Sequence, residues 1–202
     1  MKEEQDYIRD IVQIRTIMER SSKFLSLAGW AGVMAGLYAL AGTYIAYEVL
    51  DFNPDKIIYT ATGSLSKVIG LALIVLLLAI GTAILLSYNK ATKRGEKLWN
   101  AIVKRLIINM AVPLIVGGLL ILILIAKGLI GFIPPFSLLF YGLALFNAGR
   151  FTYEIMKSLG LIQIGLGLLS AYFVEYGLVC WALGFGVVHI VYGIYMHYRY
   201  ER

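Results

Sequence analysis

One histidine, His189, lies near the middle of a 23-residue stretch without charge, residues 176–198. Histidine can carry a proton, act as a base or bind a metal, so in an apolar setting it is the first residue to ask about. Gly186 and Gly193 stand three residues before and four after it, which puts His189 on a small-residue face turned toward another helix. Of the other polar side chains in the uncharged stretches, Asn109, Gln163 and Tyr192 are the ones to set beside it. The four could converge on a small polar pocket. They could equally serve as polar glue between helices, with a neutral His189 bonded across to Asn109, Gln163, Asn147 or a tyrosine.

Other chemistry is harder to assemble. A metal centre needs three or four ligands. His197 lies eight residues beyond His189, and Cys180 nine before it, so no ligand set forms. A bis-histidine haem would need two histidines at similar depth, and His197 falls at the end of its stretch. No cofactor and no metal site is expected. Cys180 is the single cysteine, which leaves no partner for an intrachain disulfide and suits a small buried hydrophobe. There is no nucleophile–base pair, phosphate loop or zinc motif. The loops between stretches offer few acids, Glu154 and Glu175 among them, and these are expected on opposite sides. The expectation is a non-enzymatic protein.

The elements that must hold these residues come from the charge pattern. Six windows carry no Asp, Glu, Lys or Arg: residues 24–47, 68–89, 106–126, 128–149, 158–174 and 176–198, together 129 of 202 residues. A helix crossing a bilayer needs about 20 mostly apolar residues, since the hydrocarbon core is roughly 30 Å thick. Charged residues make up 15% of the chain, against roughly 25% in soluble domains. The reading is an all-α membrane protein: a six-helix transmembrane bundle preceded by a cytoplasmic amphipathic helix over 1–22. The six spans are expected near 24–48, 67–89, 105–126, 133–150, 158–174 and 177–198. With no charged group inside any window, an ion-coupled carrier is disfavoured, and a retinal-type lysine or a di-aspartyl intramembrane protease is excluded.

The net charge of +6 has a topological origin. Taken alternately along the chain, one set of connections holds 15 of the 18 basic residues and the other set holds 3. Cytoplasmic loops carry the excess of Lys and Arg, so the chain is expected to be a multi-pass protein of the inner (cytoplasmic) membrane with both termini in the cytoplasm. Nucleic acid is not expected as a partner. The opening MKEEQDYIRD is acidic and polar and does not read as a signal peptide.

Within residues 3–22, Tyr7, Ile11, Ile14 and Met18 fall on one helical stripe. Acids and bases number five each through Lys23. A helix lying on anionic lipid would be strongly basic, so this stripe is expected to meet protein: a second subunit, another membrane protein, or its own bundle. Span one carries ladders of small residues, Ala28–Gly32–Gly36 and Ala31–Ala35–Ala39, which allow close helix approach within the bundle or between subunits. Pro113 should kink span three, and Pro134–Pro135 breaks the fourth window.

The phrases IMERSSKFLSLAGWAGVMAGLYAL, YGLALFNAGR and WALGFGVVHIVYG resemble those of a six-span membrane protein family of Bacteroidota-type bacteria that has no assigned activity. The Gly-rich last two spans also look like the hairpins of small acid-resistance membrane proteins. These resemblances imply a membrane bundle and transfer no site residue. The expected role is that of a subunit or regulator of a membrane complex in contact with the lipid bilayer, itself or another membrane protein. A small-solute permease or channel lined near Asn109, Gln163 and His189 is the alternative.

Overall fold

The computed structural model describes residues 11, 28–52, 65–93, 95, 99 and 101–200. Among the described residues every regular element is helical. Helix α1 is Gly29–Tyr44, continued by a π turn over Ile45–Val49. Then come α2 (Leu65–Lys93) and α3 (Ala101–Ala126). A 3-10 turn at Ile130–Phe132 leads into α4 (Ile133–Ala148), and α5 is Ile155–Tyr172. The last helical stretch has three parts: α6 (Gly177–Trp181), a π segment (Ala182–Val188) and α7 (His189–Tyr200).

Five helices are long and apolar enough to cross a membrane: Leu65–Lys93, Ile102–Ala126, Ile130–Ala148, Ile155–Tyr172 and Val174–Tyr200. Each begins two or three residues before its expected span, and the first and last of them also run past its end. α2, for instance, runs through Lys90 to Lys93, because a lysine stem can lie along apolar surface with its head in water. α1 with its π turn covers residues 29–49, starting within the expected first span of 24–48 and ending one residue beyond it. Of the amphipathic stripe in residues 1–22, Ile11 is described, helical and exposed, while Tyr7, Ile14 and Met18 lie outside the described residues.

Proline and glycine chemistry fixes the turns. Gly128, at φ 72°, adopts the left-handed backbone that ends α3 and reverses the chain. Pro134 and Pro135 occupy the first turn of α4, where the missing amide hydrogens have no helical partner to lose. The proline pair therefore opens the fourth helix, and the turn just before it brings the chain back. Pro113 sits inside α3, which continues unbroken to Ala126.

The bundle is an up-and-down arrangement with two closely packed seams. α1 lies against the last helical stretch. A Cβ added at Gly36 would come within 2.6 Å of the Gly186 carbonyl, and one at Gly193 within 2.6 Å of the Val33 amide nitrogen. A Cβ at Gly32 would stand 3.2 Å from the His189 carbonyl. The small-residue faces of Gly32, Gly36, Gly186 and Gly193 are thus consumed inside one chain. The second seam joins α4 to α5, where a Cβ at Gly142 would come within 2.7 Å of the Gly160 carbonyl, and the reverse holds at Gly160. α2 leans on α1 alone among its larger contacts, through Val75 against Gly42 and a 3.2 Å bond between the Tyr38 and Thr82 hydroxyls.

Contacts at the helix ends sort the bundle into two poles. At one pole the start of α1 meets the end of α7 (Trp30 and His197 rings 5.5 Å apart), and the α4–α5 connection meets Tyr200 (Tyr153 ring 4.2 Å away). α3 begins at this pole, its Val103 and Leu106 packed on Ala148. At the opposite pole Ala46, Phe52 and Ile130 form a cluster joined by Leu65, Ile125 and Ile133.

Candidate functional site

The buried polar centre lies where α4, α5 and the last helical stretch meet. Gln163 is fully buried, and His189 is 5% exposed. The reason lies in their neighbours. Gln163 is flanked at helical spacing by Gly160 and Gly167, which give α5 a small face pressed against α4. His189 follows the π segment, whose wide turns re-aim the side chains after it.

The geometry assigns the protons. His189 Nδ1 lies 2.8 Å from the Gly184 carbonyl oxygen. A carbonyl only accepts, so Nδ1 carries the hydrogen. In a neutral ring Nε2 is then the acceptor, and the Tyr141 hydroxyl, 2.9 Å away, donates to it. Gln163 Nε2 donates to the same Gly184 oxygen at 2.8 Å. The 3.3 Å approach of Gln163 Nε2 to His189 Nδ1 is therefore a meeting of two donors that share one acceptor. Gly184 O accepts from side chains of two different helices.

Rings close the site. Tyr141 and His189 stack with centroids 5.5 Å apart, and Phe185 lies nearly parallel to His189 at 5.9 Å. Trp181 extends the stack at 4.9 Å from Phe185. Gly184 has no room for a side chain: a Cβ there would stand 2.5 Å from both Gln163 Oε1 and Leu138 Cδ2.

Two polar atoms close to this centre, Gln163 Oε1 and the Tyr192 hydroxyl, are buried without a hydrogen-bond partner. Tyr192 and Tyr141 both pack on the Leu145–Met156–Leu159 cluster, so the Tyr192 hydroxyl belongs to the same core. Ser170 Oγ is a third such atom, nearer the opposite pole beside Gly177 and Pro134.

Of the residues expected in a polar pocket, Gln163 and His189 are in direct contact, and Tyr192 shares their core. Asn109 is elsewhere. It is exposed on α3 and donates to the Arg105 carbonyl of its own helix at 2.8 Å. Tyr141 and Gly184 complete the centre. Nothing in the spacing around Tyr141 marks it. Gly184 does carry a signal, since it forms with Gly186 a Gly-Phe-Gly break in an otherwise bulky helix. Among the described residues there is no group of three His, Cys, Asp or Glu able to hold a metal.

Compared with known proteins, the chain matches no family profile, no curated protein and no solved structure. Function therefore rests on geometry.

Proposed function

We propose that this chain is a multi-pass protein of the cytoplasmic membrane, crossing six times with both termini in the cytoplasm, and that it works without catalysis as a subunit or regulator of a membrane complex. α1 with its π turn is the sixth crossing, in addition to the five helices of membrane length. The observation that carries the reading is α2. It spans 29 residues, and no residue of its most apolar 18-residue window is buried. Leu73, Ile74, Leu77, Ile80, Ile84 and Leu85 all face outward. Such a surface cannot stand in water, where each exposed leucine or isoleucine forgoes about 1.5–3 kcal/mol. Lipid or another membrane helix covers it. The glycine faces are already used within the chain, so assembly falls to α2 and to the N-terminal stripe of Tyr7, Ile11, Ile14 and Met18. Replacing Ile11 and Ile14 by Asp tests this: the chain should still reach the membrane and should lose self-association or partner capture. A complex that survives both changes contradicts the interaction reading.

A second reading, a small-solute permease or channel, draws on the two unpartnered atoms beside His189. Gln163 Oε1 and the Tyr192 hydroxyl could accept and donate to a polar solute. Uptake into proteoliposomes that disappears in His189→Ala would favour it.

A further inference from the structure

The charges of the described residues are divided unevenly between the poles. Lys90, Lys93, Lys104, Arg105, Arg150, Lys157 and Arg199 stand at the pole where α1 begins and α7 ends, with Glu154 as the acid among them. The opposite pole has Lys67 and Lys127 with Glu48, Asp51 and Glu175. A general excess of this kind follows from insertion. One corner of the basic pole is more specific.

At that corner three helix ends are pinned together. Val103 and Leu106 of α3 pack on Ala148 at the end of α4, with Phe151 just beyond. Met110 of α3 also reaches the cluster formed by Leu145 of α4 and Met156 and Leu159 of α5. A Cβ at Gly149 would strike the Lys157 stem, so that stem lies across the backbone next to Arg150. Lys104, Arg105 and Arg150 are exposed, and Lys157 is half-buried. Packing thus places four cations, from three elements, at one corner of the bundle: Lys104 and Arg105 on the outer side of α3, Arg150 and Lys157 at the neighbouring α4–α5 connection. None of the four has an ion-pair partner among the described residues. Directly below the junction, α3 presents an outward apolar face: Ile107, Ile108, Val112, Ile115 and Leu119.

The geometry points to this corner as a binding site for an anionic phospholipid, its phosphate held by Lys104, Arg105, Arg150 and Lys157 and its acyl chains lying along α3. The inference rests on the membrane reading above. Four cations at one corner call for phosphate, because guanidinium and ammonium groups match its oxygens and each basic residue near a charged bilayer surface favours the anion. The adjoining apolar face selects a lipid over a free anion.

The test begins by confirming that the full-length protein stays with the membrane after an alkaline wash, which examines the membrane reading by itself. The purified, delipidated protein is then titrated by native mass spectrometry with cardiolipin, with phosphatidylglycerol and with phosphatidylcholine. Retention of the two anionic lipids over phosphatidylcholine is expected. Each of Lys104→Gln, Arg105→Gln, Arg150→Gln and Lys157→Gln should weaken retention about fivefold. The pair Lys67→Gln and Lys127→Gln at the other pole should not change it. Equal retention of phosphatidylcholine overturns the site. So does an equal loss in the opposite-pole pair, which would mark a general charge effect. Displacement of the lipid by millimolar inorganic phosphate would show a free-anion site instead. Lys104, Arg105 and Arg150 are exposed, and glutamine keeps most of the Lys157 stem that lies against Gly149, so the variants should fold.

Discussion

Gln163 Nε2 and His189 Nδ1 lie 3.3 Å apart, and both reach the Gly184 carbonyl at 2.8 Å. Two donors from different helices share one backbone oxygen. This clasp ties α5 to the last helical stretch, while Tyr141 adds α4 through His189 Nε2. The last stretch is also the element that seals α1, through Gly186 and Gly193. It therefore joins the two glycine seams into one body.

The clasp should behave as a coupled unit. Gln163→Leu removes one of two donors on Gly184 and is expected to cost about 1 kcal/mol, the usual worth of a polar contact between membrane helices. His189→Ala loses both ring nitrogens and the stacked rings, and should cost about 2–3 kcal/mol. The double variant should cost less than the sum of the two, by at least about 0.5 kcal/mol. Unfolding in detergent by denaturant titration checks this, and strict additivity would contradict a shared acceptor.

Tyr141→Phe separates the hydroxyl from the ring. The stack on His189 is kept and the bond to Nε2 is lost, so the expected cost is about 1 kcal/mol. Tyr141→Leu should cost distinctly more. Thermal unfolding of the two variants distinguishes them, and equal losses would mean that the ring stack contributes nothing.

Glycines should divide into two classes. Gly36, Gly142, Gly184 and Gly193 each face a neighbouring atom that a Cβ would strike, so alanine there should lower stability by about 1–3 kcal/mol. Gly81 and Gly118 face open space within their helices, and alanine there should be neutral or stabilise by about 0.5–1 kcal/mol. Melting temperatures of the alanine set check the division. Uniform tolerance would show that the seams are looser than drawn.

Much of this was legible in sequence. The helices were, because bilayer thickness sets a length and charge marks its ends, as at Lys127, although α2 runs past Lys90 to Lys93. The glycine faces were legible as faces but not as pairs. Spacing says that Gly36 lies with Gly32, and nothing in spacing says that Gly186 is opposite. Asn109 and Gln163 show the same limit. Both are polar residues in apolar windows, yet Asn109 closes on its own Arg105 carbonyl and Gln163 turns inward. The local difference lies in their company: Gln163 has Gly160 and Gly167 on its face, whereas Asn109 has Val112 and Pro113. Tyr141 was beyond reach, since its role depends on where the last stretch places His189.

The proposed orientation is open to a labelling test. Single cysteines at Lys104 or Lys157, in a Cys180→Ser background, should react with an impermeant maleimide only from the cytoplasmic side. A cysteine at Lys127 should react only from outside. Labelling of both sets from one side would contradict the six-crossing arrangement.

The measurement that bears most directly on the interaction role is native mass spectrometry of the protein extracted gently from its own membrane. The account predicts a species at a multiple of the 22.4 kDa chain, or the chain with a second membrane protein bound, lost when Ile11 and Ile14 are replaced by Asp. A bare 22.4 kDa monomer, stable across mild detergents, would contradict it.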